Sequence, residues 1–159
     1  MNWDAIGAVG ELVGATAVVV TLVYLSVQLR QNTAASQNAT WQAILRQLGD
    51  LDVLEATTPG LSVLMAAAEE NPESISKDEY RRFTRVAQPR FAVLEYAYLA
   101  NENGTIDGFF WEALIPYARF LISKPGNRKF WAEEAHNVYH GDFIAFVETL
   151  MTDDAVPDA

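Results

Sequence analysis

Residues 12–27, LVGATAVVVTLVYLSV, form sixteen consecutive positions without a charged side chain. Widened to Gly7–Leu29, the stretch has 23 residues and a single acid, Glu11. At a helical rise of about 1.5 Å per residue it reaches about 34 Å, enough for a hydrocarbon core of about 30 Å. A secretory signal needs a basic start and a small-residue cleavage site. Here the start, Met1-Asn2-Trp3-Asp4, is acidic, and no Ala-x-Ala follows the apolar run. A buried core helix of this length and apolarity would be unusual. The stretch predicts a transmembrane helix within residues 1–30, with a body after it.

Every Lys and Arg lies after position 29, beginning with Arg30. The positive-inside rule then puts the N-terminus outside and the C-terminal domain in the cytoplasm, with Trp3 and Tyr24 as interfacial anchors. The chain of 159 residues carries 11 basic and 21 acidic side chains, a net charge of −10. Two of the acids, Asp4 and Glu11, precede Arg30, which leaves 19 against 11 in the body. That balance argues against a nucleic-acid partner, because phosphate binding needs a basic footprint. The absence of cysteine excludes disulfides, thiol nucleophiles and Cys-ligated metals.

The body, 31–151, reads as helix after helix in a single domain. No Gly or Pro occurs from Thr16 to Gln47, so one helix could run from the membrane into the body, with Trp41, Ile44, Leu45, Leu48 and Leu51 as its apolar stripe. Thr57-Thr58-Pro59-Gly60 marks a turn, and a short helix follows over 61–70. Ser76 and Glu79 form a capping box that opens a helix over about 77–102, kinked at Pro89. Asp107 caps a helix over about 108–123; Pro125 opens another that reaches His140, with Gly141 as its C-cap. A last helix covers about 142–151, and an irregular acidic tail occupies 152–159. The expected fold is all-α: a transmembrane helix continuing into a compact bundle of about five helices.

The opening WDAIGAVGELVGATAVVVTLVYLSVQLRQNT, then DEYRRF, LEYAY, the G-x-I-D-x-x-x-W of Gly104–Trp111 and the PGNRKFW of Pro125–Trp131 carry a resemblance. Together they resemble a family of small, uncharacterised bacterial single-span membrane proteins with a C-terminal helical domain. The resemblance implies this architecture and a place in the bacterial inner membrane. It implies no activity, cofactor or catalytic residue.

On the span, Gly7, Gly10, Gly14, Ala17 and Thr21 share one side at 3–4 spacing. Small residues let two backbones approach closely in lipid, where packing drives helix association, so this face is the expected oligomer interface. Glu11 lies beside it. In an oligomer it could form a carboxylate ring that lines a cation path or titrates; at headgroup depth it simply reaches water. The span offers only Thr16 and Thr21 as further polarity, so an aqueous pore is the weaker expectation.

In the body, Glu133-x-x-His136 followed by His140 puts a carboxylate and two imidazoles on one helical face. With Asp142 as a third protein ligand the two imidazoles could hold Zn²⁺, but polar side chains near a helix C-terminus are the commoner case. Glu95 and Arg119 each interrupt an apolar run and are expected to form a structural ion pair. Lys77, Arg81 and Arg85, with Arg82 and Arg90 near, form a basic stripe, fit for anionic headgroups or for a solvated face neutralised by Glu73, Asp78 and Glu79.

There is no phosphate-binding Gly-rich loop, no Gly-x-Ser-x-Gly and no His in a nucleophile setting. No catalysis and no cofactor are expected. Two functions remain. One is a membrane-anchored interaction or scaffold protein that self-associates through its span, or an accessory subunit of a membrane complex. The other is a homo-oligomeric ion-conducting channel with a Glu11 ring.

Overall fold

The computed structural model describes the backbone of residues 3–153 and the surroundings of Gly7 and of residues 10–152. The interfacial role expected of Trp3 and the tail beyond Asp153 lie outside the described residues. Among the described residues six helices follow one another: α1 Trp3–Thr57, α2 Leu61–Glu70, α3 Lys77–Glu102, α4 Gly108–Ser123, α5 Pro125–Val138 and α6 Gly141–Asp153. Among the described residues there is no strand.

α1 runs unbroken for 55 residues because no proline interrupts it and its few glycines remain helical. It ends where Gly60 takes a left-handed turn (φ 74°), a conformation open to glycine without steric cost. α3 opens on the expected capping box. The Ser76 Oγ accepts from the Glu79 N–H at 3.3 Å, and the Ser76 N–H donates to Glu79 Oε2 at 2.8 Å. The helix continues through Pro89. Asp107 caps α4 by accepting from the Phe109 N–H at 2.9 Å.

α3 runs antiparallel to α1. Gln37 Nε2 donates to the Gly104 carbonyl at 3.2 Å, while Arg90, earlier in α3, meets Glu55, later in α1. The parallel stacking of Trp41 on Phe110, with centroids 4.9 Å apart, joins α1 to the start of α4. α2 and α5 cross at backbone contact: a Cβ on Gly126 would stand 2.1 Å from the Ala68 carbonyl oxygen, so only glycine fits. The core is aromatic. Phe83, Phe91, Phe130 and Phe143 are fully buried.

Two expectations change. Leu45 is not part of the core stripe: it is 46% exposed, while Ile44 beside it is fully buried. α5 also stops at Val138 rather than His140, and Gly141 is the first residue of α6, not a C-cap. Tyr139 breaks the helix by turning extended (φ −113°, ψ 159°). Its ring stacks on Trp131 at 5.3 Å, and its hydroxyl donates to the Gln88 carbonyl at 2.8 Å. Burying that ring outweighs the one or two helical hydrogen bonds that continuation would add.

Candidate functional site

Among the described residues one helix is long and apolar enough to cross a membrane, the N-terminal α1. Residues 10–36 of it are exposed without interruption, and none of its apolar window is buried against the body. Leu12, Val18, Val19, Val20, Leu22 and Val23 each leave more than half their surface open. Three of its polar side chains are answered within the helix. The Thr16 hydroxyl donates to the Leu12 carbonyl at 2.8 Å and the Thr21 hydroxyl to the Ala17 carbonyl at 2.9 Å. Gln28 Nε2 donates to the Tyr24 hydroxyl oxygen at 3.1 Å. A helix whose backbone and threonine hydroxyls bond internally is compatible with hydrocarbon.

Gly7, Gly10 and Gly14 have open space where a Cβ would stand, so packing within the chain does not require glycine at any of them. Gly14, Ala17, Thr21 and the neighbouring Glu11 are all exposed. The candidate interface is thus wholly uncovered by the rest of the molecule.

The body's candidates separate. Glu133 accepts from the Tyr80 hydroxyl at 2.9 Å. His136 lies 4.0 Å from Glu148, and His140 Nδ1 lies 3.6 Å from Asp142. The three face different carboxylates or donors. Among the described residues, no three His, Asp or Glu side chains gather as a metal cage. Glu95 is half-buried, and its Oε1 accepts from the His140 N–H at 2.5 Å, so α3 caps the start of α6 from outside. Arg119, on α4, is half-buried too.

A charge cluster appears where no pairing was expected. Arg90 is buried, although its neighbours in the basic stripe are exposed. Its Nη2 bonds Glu55 of α1 and lies 3.8 Å from Asp52, and its Nη1 lies 3.4 Å from Glu69 of α2. Its Nε is buried without a hydrogen-bond partner. These groups line a cleft of about 400 Å³ with Tyr117 and Phe120. Burial pushes the Glu69 carboxyl above its ordinary range, and Arg90 partly offsets that. Burial likewise raises the Tyr117 hydroxyl. One guanidinium joins three helices, and the acids outnumber it.

Sequence carried a usable signal for this cluster. Arg90 falls in register with the buried Phe83, Val86, Ala87, Leu94 and Ala97, so the apolar face of α3 passes through it. Glu55 continues the Ile44–Leu48–Leu51 stripe of α1, and Glu69 follows the buried Leu61, Leu64, Met65 and Ala68 of α2. Three charges on three core-facing stripes announce a buried network, but spacing alone does not say that they meet.

Comparisons with family models, with curated proteins and with solved structures find no match to this chain.

Proposed function

We propose that the protein is a membrane-anchored helical interaction module that self-associates through the small-residue face of its N-terminal span, alone or as an accessory subunit of a membrane complex. The observation that carries this is the unbroken α1, with residues 10–36 uncovered and the later part packed in the bundle. Such a helix holds the domain at a set height above the bilayer. The positive-inside balance favours a cytoplasmic domain, and the resemblance noted above favours the bacterial inner membrane. Open space at Gly7, Gly10 and Gly14 supports a second helix there, because intrachain packing gives no reason for glycine.

A conducting pore is the weaker proposal. The hydroxyls of Thr16 and Thr21 are committed to carbonyls of their own helix, which leaves little polar lining beyond Glu11. The test is the mass of the particle in nanodiscs, by native mass spectrometry, for the natural chain and Gly14→Ile. A dimer or small oligomer that falls to monomer in the variant supports the module. An oligomer unchanged by the variant removes the small-residue face from the proposal. A ring of four or more copies whose conductance falls with Glu11→Gln would replace the module with the channel.

A further inference from the structure

The N-terminal turns of α3 lie at the pole of the body farthest from the span. The α1–α3 pairing sets this: Gly104 sits by Gln37, Arg90 by Glu55, and Arg81, Arg82 and Arg85 extend past them toward the α1–α2 turn. From Leu29 to Leu54 the helix rises about 38 Å. The basic stripe therefore faces away from the membrane that the span would occupy, and cannot rest on its headgroups while α1 stays straight.

Two clefts meet there. One, of about 570 Å³, is lined by Leu54, the buried Leu61 and Val86, and by Arg81, Arg82 and Arg85. The other, of about 460 Å³, shares Leu54 and runs on past Leu51, Pro89 and Val93 to Asp50. Together they make an elongated groove between α1 and α3. From Gln47 to Thr57 it follows about 15 Å of α1, the length of about three helical turns. Pro89 has no N–H, so the Arg85 carbonyl beside the groove lacks its helical donor.

The acids close to the stripe neutralise it only in part, the Glu79 carboxylate acting on Arg82. Glu73 pairs with Lys129 at 2.5 Å, and the Glu79 carboxylate is held in the capping box. Asp78 alone pairs across, with Arg81. Arg82 and Arg85 are exposed and close no ion pair among the described residues. Three arginines against Asp78, with Asp50 at the far end, leave the arginine end of the groove cationic on a chain of net charge −10. That overall charge repels nucleic acid.

We propose that this groove docks an acidic amphipathic helix of a partner protein. The helix lays its apolar side on Leu51, Leu54, Val86 and Val93 and its carboxylates on Arg81, Arg82 and Arg85, the helix-in-groove mode of recognition. The height of the groove above the bilayer rests on the anchor proposed above; its chemistry does not.

The experiment titrates full-length protein, once in detergent and once in zwitterionic nanodiscs, with a fluorescent synthetic helix of about eighteen residues. The peptide carries Leu at i, i+3, i+4 and i+7 and Glu on its flanks. Controls are a scrambled peptide of the same composition and a Lys-for-Glu version. Saturable binding of the acidic helix is expected in both media, at least about tenfold tighter than either control, and weakened at least about tenfold by R82E/R85E. Both positions are exposed, and an unchanged melting temperature would confirm that the variant folds.

Binding that is equal in R82E/R85E, equal for the Lys peptide, or absent up to about 1 mM overturns the proposal. Binding of phosphatidylserine vesicles in place of the peptide overturns it in favour of a second membrane, and binding that tracks the chain's own concentration does so in favour of a second copy. Failure of the span to insert leaves the detergent titration intact, so the two proposals fail separately.

Discussion

α1 is one helix with two kinds of environment. Residues 10–36 are exposed throughout, yet they contain the most apolar stretch of the chain. From Gln37 to Thr57 the same helix carries one face into the bundle, with Ile44 fully buried, Trp41 stacked on Phe110 and Glu55 bonded to Arg90. An apolar surface left open is costly in water and favourable in lipid. A polar helix that buries a narrow stripe has the opposite needs. The difference teaches that helix continuity says nothing about solvent: side-chain pattern changes at about Arg30 while the backbone does not.

The sharpest way to break the comparison is to cut the body half loose. Arg90→Ala leaves Glu55 and Glu69 facing each other in a partly buried cleft. Removing one member of a buried ionic cluster costs about 3–5 kcal/mol. Denaturant unfolding of the body should show that loss, and the membrane insertion of the span should be unchanged. A loss below about 1 kcal/mol would mean the cluster is solvated and does not lock α1 to α2 and α3.

The next comparison puts one substitution in both regions. Gly126→Ala drives a Cβ into the Ala68 carbonyl, and overpacking of this kind costs about 1–3 kcal/mol, occasionally more. Gly14→Ala meets open space, so the stability of the body should not move. Equal effects from the two would show that the α2–α5 crossing is not at backbone contact. A smaller effect of opposite sign is expected from Gly49→Ala, on the exposed side of the body half of α1. Nothing crowds that position, and alanine should stabilise the helix by about 0.5–1 kcal/mol. If it destabilises instead, Gly49 is in contact with something outside the chain, and the free face of α1 extends the interface below the membrane.

The smallest effect is a pH dependence. Glu69 has its carboxyl raised, first by burial, so the folded state holds that proton more tightly than the unfolded chain. Its contribution favours the fold at low pH and is lost as pH rises from the ordinary 4.5 through the raised value. Glu79 has the opposite sign. Hydrogen bonds from Ser76 hold it below 4.5, so its contribution is present above the ordinary value and lost as pH falls through the lowered one. Relative to the natural chain, Glu69→Gln should gain stability as pH rises above that ordinary value, measured by denaturant midpoints. A difference independent of pH would mean that Glu69 titrates alike in both states.

Local signals were legible wherever one stretch of chain contains its own cause. The capping box at Ser76–Glu79, the cap at Asp107 and the turn at Gly60 needed no distant partner, and the bounds of α2, α3 and α4 follow from them. The end of α5 was not legible, because it depends on Tyr139 finding a place against Trp131 and Phe143. Among the candidate sites, the spacing of Glu133, His136 and His140 suggested a cluster, but Glu133 meets Tyr80 and His136 meets Glu148, and only His140 lies beside the expected Asp142. The groove between α1 and α3 is made by two segments about thirty residues apart in sequence, and neither half implies the other.

By itself the sequence determined that the chain is all-helical, that its first helix has the length and apolarity of a membrane span, and that the body is acidic and free of cysteine. Those properties depend on composition and short-range periodicity, which hold before any two helices meet. Only the tertiary structure decided that Arg90 is buried while Arg82 and Arg85 are not, that Glu95 caps α6, and that the basic stripe lies at the far pole of the body. The physical reason is that charge is a property of a side chain, whereas desolvation and pairing belong to the space between helices.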